Sequence, residues 1–89
     1  MSNPLAQYSA SIERMNAIAA QGSLNSVHIS IAYRHELKKA LRALRHVIAA
    51  EPDHETRRLY EQLLGTLKGL HYHLIRAEEC SIALTIGNN

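Results

Sequence analysis

The chain has 89 residues, enough for one domain and not two, and a chain this short buries a modest fraction of its surface, so surplus apolar residues are candidates for cover by a partner. Trp and Phe are absent and the only aromatics are Tyr8, Tyr33, Tyr60 and Tyr72; the remaining Leu, Ile, Val, Ala and Met suit helices laid side by side and disfavour a sheet sandwich, whose strands draw on aromatic and β-branched residues. A net charge of +2 makes no demand for nucleic acid or membrane, and the lone Cys80 excludes an internal disulfide and leans towards a reducing compartment.

The first segment opens with Asn3, which can cap a helix, and Pro4, which fits a first turn where its missing N–H costs nothing. Leu5, Tyr8, Ile12, Met15 and Ala19 then recur at spacings of three and four, one apolar stripe on a helix expected over about 4–20. Gly22 reads as its left-handed terminator. Val27, Ile29, Ile31 and Tyr33 alternate as a strand would. No second strand candidate exists to pair with them, and an isolated strand is not stable. The stretch is therefore assigned to the start of a helix capped by Asn25 or Ser26. From Tyr33 to Ala50 the helical pattern is strong, with Tyr33, Leu37, Ala40, Leu41, Leu44, Val47 and Ile48 on one face.

Glu51, Pro52 and Asp53 break the run: Pro52 disfavours helix at the residue before it, and Asp53 caps a new helix with Glu55 in its first turn. So short a link implies antiparallel neighbours. The last helix is expected over about 54–86. Leu59, Tyr60, Leu63, Leu67, Leu70, Leu74 and Ala77 form one stripe on it, and Leu64, Ile75, Ile82 and Ile86 a second. Together the stripes span about half the circumference, wider than the roughly 100° of an ordinary core-facing stripe. One antiparallel neighbour cannot cover both, so the second belongs to the first helix, another copy of the chain, or a different protein. The expected fold is all-α: an antiparallel hairpin of two long helices (27–50 and 54–86) with an additional N-terminal helix, in a single domain over 1–89.

On the second helix Arg34, His35, Lys38, Lys39, Arg42, Arg45 and His46 lie away from the apolar face, with Glu36 outside their arc. Three readings stand: a solvated face, docking to an acidic protein partner steered by charge, and contact with nucleic-acid phosphates. The last is disfavoured, because neither helix-turn-helix spacing nor an aromatic platform for bases accompanies the charges. The electrostatic candidates are Arg34, Lys38, Lys39, Arg42 and Arg45.

No two of the six histidines stand three or four apart, the spacing a zinc pair on a helix needs. Cys80, seven residues after His73, is better read as a small filler than as a nucleophile. Glu78 and Glu79 are adjacent, hence on different faces, and do not make an acid–base pair. No cofactor, metal or catalytic residue is assigned. Gly65 and Gly69 each cost about 1 kcal/mol relative to Ala inside a helix. Four apart and opposite the leucine stripe, they either admit a second backbone closely or mark a tolerated weakness. With Leu64, Ile75, Ile82 and Ile86 they make up the partner-binding candidates.

The block from His35 to Leu74, HELKKALRALRHVIAAEPDHETRRLYEQLLGTLKGLHYHL, resembles the small E-type co-chaperones of type III secretion needle subunits. Leu37, Ala40, Leu41 and Leu44 match their Ala- and Leu-rich basic first helix. A short link containing Pro follows, and Leu63, Leu67, Gly69, Leu70 and Leu74 match the glycine-containing second helix. The segment up to Ser26 and the extension to Ile86 exceed that pattern. The resemblance implies pairing with a tetratricopeptide-like chaperone, the two together holding the needle subunit soluble and unpolymerised in the cytoplasm. The E-type member would stabilise the larger chaperone.

The expected function is therefore non-enzymatic protein binding by a cytoplasmic chain. No apolar run approaches the roughly 20 residues of a membrane-spanning helix, and Met1 to Ala20 does not read as a secretory signal. The alternatives are a small nucleic-acid-binding or regulatory protein using the basic stripe, and a self-associating helical adaptor forming a homo-oligomer.

Overall fold

The computed structural model describes residues 3–22 and 27–87, the side chains at 27, 81 and 83–87 excepted. These residues form three helices, α1 (Pro4–Ala20), α2 (Val27–Ala50) and α3 (His54–Gly87), and no strand. The stretch from Val27 to Tyr33 is helical, and its alternation is what remains when Ile29 turns inward while Ile31 stays outside. The candidate caps Asn25 and Ser26, and the side chain of Ile86, lie outside the described residues.

The ends of the helices follow from local chemistry. Asn3 Oδ1 accepts the Leu5 N–H at 2.9 Å, with Pro4 in the first turn, which satisfies one of the orphan donors of a helix start. At the other link Asp53 Oδ2 accepts the Thr56 N–H at 2.9 Å and the Thr56 hydroxyl at 2.7 Å. The Arg57 guanidinium reaches back and donates to the Glu51 carbonyl oxygen at 3.1 and 2.6 Å. One cation thus satisfies an acceptor at the end of α2 and locks the turn between the helices.

Gly22 does not act as a left-handed terminator: no described glycine has a positive φ. The end of α1 tightens instead, Gln21 staying in the right-handed region and donating its N–H to the Ile18 carbonyl at 3.1 Å. What favours glycine at 22 is space, because a Cβ there would stand 2.8 Å from Ile29 Cδ1.

Helix α2 is the middle element. Among the described residues it supplies six of the nine buried apolar side chains, Leu37, Ala40, Leu41, Ala43, Leu44 and Val47; α1 adds Met15 and α3 adds Leu67 and Leu74. Tyr8, Ile12, Tyr33, Tyr60, Leu63 and Leu70 close over them. Both α1 and α3 pack on α2, yet they make no backbone approach to each other within 8 Å. Directly packed helices lie 8–10 Å apart, so α1 and α3 each pack on α2 and not directly on each other.

Four positions of the expected stripes are outside the core: Leu5, Ala19, Leu59 and Ala77 are exposed. Leu59, at 63% exposure, lies before Tyr60, which borders Val47 and the last residue of α2, Ala50. Ala77, five whole turns further along the same face of α3, is exposed as well, so this flank lies outside the seam with α2. Ser11 takes a place in the α1 core face that the apolar pattern did not include; Arg14 Nη2 donates to its hydroxyl at 3.2 Å, so the buried polar group is satisfied.

The molecule measures 55 × 21 × 19 Å, elongated because α3 alone spans about 51 Å at 1.5 Å per residue. Glu78 of α3 sits against Ser30 and Arg34 near the start of α2. Beyond that contact α3 continues for nine residues to Gly87, whereas α2 has only three before Ser30.

Candidate interaction surface

Helix α2 carries half of the chain's Lys and Arg residues, and the structure divides them. On the α1 side Glu36 is held by Arg14 Nε at 2.8 Å and Lys39 Nζ at 3.3 Å. The Arg14 hydrogen bond pulls the Glu36 carboxyl below its ordinary range, partial burial opposes this, and Lys39 adds to it. The groove beside this triad, about 490 Å³, is walled by Ala6, Ala10 and Ala43 with Arg42 and His46 at its edge.

On the α3 side an open groove of about 350 Å³ is lined by Lys38, Leu41, Arg42, Arg45, Lys68 and His71. At its end Arg34 Nε donates to Glu78 Oε2 at 3.0 Å, and the buried Ser30 hydroxyl donates to Oε1 at 3.0 Å. The five electrostatic candidates therefore separate. Arg34 and Lys39 are engaged by Glu78 and Glu36, whereas Lys38, Arg42 and Arg45 have no ion pair among the described residues. Arg34 is not part of a free basic stripe, because Glu78, forty-four residues away, claims it.

His71 reports on this groove. Its Nε2 is buried with no hydrogen-bond partner among the described residues. Burial pushes its pKa down, the nearby Arg34 and Lys38 cations push it further, and Glu78 partly opposes them. Lys68 and His71 carried no weight in the reading of the sequence. The signal that locates them is their spacing from Leu64 and Ile75, four residues in each case, which puts all four on one flank of α3.

The partner-binding candidates fall in three groups. Leu64 is half-buried and packs against the core from its edge, and Ile75 is half-buried as well. Ile82 is 53% exposed. Gly65 is exposed and Gly69 half-buried, and a Cβ built on either meets nothing within 4 Å. No second helix of the described chain uses the room they leave. Among the described residues no three of His, Cys, Asp and Glu converge as metal ligands would, and no described helix is long and apolar enough to cross a membrane. Cys80 is exposed.

Comparison with protein-family models, curated proteins and solved structures gives no match. Function therefore rests on this chain's own surface. Its arrangement offers grooves between helices, uncovered aliphatic side chains and unpaired cations, which are the elements of protein recognition.

Proposed function

We propose that this chain is a non-enzymatic protein-binding module: a small cytoplasmic co-chaperone that stabilises a larger, tetratricopeptide-like chaperone, which in turn holds a type III secretion needle subunit. The specific partners come from the resemblance of His35 to Leu74 to the E-type co-chaperones. The observation that carries protein binding is the outer flank of α3. Ile75 is half-buried and Ile82 is 53% exposed, although covering a full aliphatic side chain is worth about 1.5–3 kcal/mol. A partner that completes this cover gains that energy, and a chaperone short of apolar cover of its own would gain in the same contact.

The test is affinity capture of the tagged chain from its native host, followed by mass spectrometry and gel filtration of the recovered complex. Stoichiometric recovery of a tetratricopeptide chaperone together with a needle subunit supports this function. Recovery of the chain alone, or with nucleic-acid-processing proteins, contradicts it.

A further inference from the structure

The apolar second stripe of α3 and the basic stripe of α2 are separate features in the sequence, but the fold sets them side by side. On α2, Ile31, Lys38 and Arg45 stand seven residues apart, two helical turns, and so share a flank. On α3, Leu64, Lys68, His71, Ile75 and Ile82 follow one another at four, three, four and seven residues, again one flank. Lys38, Arg45, Lys68 and His71 line the same groove, so the two flanks face the same side of the hairpin. The antiparallel register is fixed by Ser30 and Arg34 against Glu78. It puts Leu64 near Arg45 at the link end, and Ile82 near Ile31 at the far end.

The surface is thus graded along its length. Towards the link it is cationic, with Lys38, Arg42, Arg45 and Lys68 free of ion pairs among the described residues. Towards the far end it is aliphatic, with Ile31 38% and Ile82 53% exposed and Ile75 half-buried. From Ile31 to Arg45 is about 21 Å of helix, close to four turns.

We propose that this α2/α3 flank is a docking groove for an amphipathic helix of another protein, its acidic half lying over Lys38, Arg42 and Lys68 and its aliphatic half over Ile31, Ile75 and Ile82. The occupant follows from charge and polarity. Four cations held close together repel one another, and a row of carboxylates relieves that repulsion while steering the encounter. Nucleic acid would match the cations but not the isoleucine end, and no tyrosine lines the groove to stack a base. A second copy of the chain lacks the acidic row. Glu36 and Glu78 are engaged, Glu51 and Asp53 are spent on the link, and no two of Glu13, Glu55, Glu61 and Glu79 are three, four or seven residues apart.

This inference rests on the protein-binding reading and adds the face and the chemistry of the partner; a synthetic probe makes its test independent of any chaperone. The full chain is titrated against a fluorescein-labelled synthetic helix of about four turns. Glutamates stand at three-four spacing in one half of the probe and leucines in the other, and binding is read by anisotropy. A scrambled peptide, a lysine-for-glutamate peptide and oligothymidine are the comparisons. The designed helix binds about tenfold or more tighter than each of them, and rising salt weakens it. Lys38→Glu with Arg42→Glu, and separately Ile75→Ser with Ile82→Ser, each weaken it about tenfold. Arg58→Glu, near the link and outside the groove, leaves it unchanged. Circular dichroism confirms that every variant folds. Equal binding of the scrambled peptide, preference for oligothymidine, indifference to both groove variants, or self-association that blocks the probe overturns the proposal. If native chaperone capture survives the groove variants, protein binding stands and this face for it falls.

Discussion

Helix α2 carries cations along both of its flanks, and carboxylates meet them differently on the two. On the α1 side Glu36 draws in Arg14 and Lys39, and the groove beside them is walled by alanines. On the α3 side Glu78 is engaged at the end of the groove by Arg34 and Ser30. Lys38, Arg42, Arg45 and Lys68 are left without a pair among the described residues. The same amphipathic helix therefore has Arg34 and Lys39 settled within the chain, and Lys38, Arg42 and Arg45 left for something else. What decides is where each carboxylate sits, Glu36 on α2 itself and Glu78 on the facing helix α3, not the number of cations.

The sharpest way to break this comparison is to remove what both flanks share. Leu44 is fully buried between them, and Leu44→Ala should cost about 2–5 kcal/mol, lowering the urea midpoint and loosening α1 and α3 together. Selective loss of one helix would show that α2 is not the common core.

The two carboxylates come next. Glu78→Ala strands the buried Ser30 hydroxyl and releases Arg34, and should cost roughly 1–2 kcal/mol. Glu36→Ala breaks a pair whose Arg14 side chain is half exposed, and should cost about 0–1 kcal/mol. Chemical denaturation of the two variants ranks them, and a larger loss at Glu36 would invert the account.

Gly65→Ala and Gly69→Ala should each stabilise the free chain, by up to about 1 kcal/mol, because the added methyl meets nothing within 4 Å. A thermal scan of each variant reads this. If the same variants weaken partner capture, the glycines belong to a second contact face; if capture is unchanged, they are an unused weakness of α3.

The smallest effect is on pH. The folded-state pKa of His71 lies below its ordinary 6.5, so the unfolded chain binds its proton first. The folded state's preference for neutral His71 is fully felt above 6.5, and its stabilisation is lost as pH falls through the lower, folded value. Stability should fall over that window in the native chain and fall less in His71→Gln. Glu36, whose pKa is lowered from 4.5 mainly by the Arg14 hydrogen bond, is ionised where that loss begins, near 6.5.

Much of this fold is legible in the sequence because its signals are local. Asn3 before Pro4 and Asp53 after Pro52 mark helix starts through bonds that span two or three residues. The Leu37, Ala40, Leu41 and Leu44 face needs only the helical period to be seen. The errors arise where a distant neighbour decides. Leu59 fits the α3 stripe by spacing, but with Ala77 it lies on a flank that α2 does not cover. Arg34 belongs to a basic stripe by spacing, but a carboxylate forty-four residues on claims it. Gly22 has the composition of a left-handed stop and serves as clearance for Ile29. The joining of the isoleucine and lysine stripes depends on the register of α2 against α3, which no single helix encodes.

The most direct test of the division between the flanks is a map of backbone amide shifts as the acidic amphipathic helix is titrated into the full chain. The account predicts perturbations confined to Ile31–Arg45 on the outer flank of α2 and to Leu64–Ile82 on α3, with Ala6 to Arg14 of α1 unmoved. Shifts centred on Ala6, Ala10 and His46, along the α1 side of α2, would contradict it.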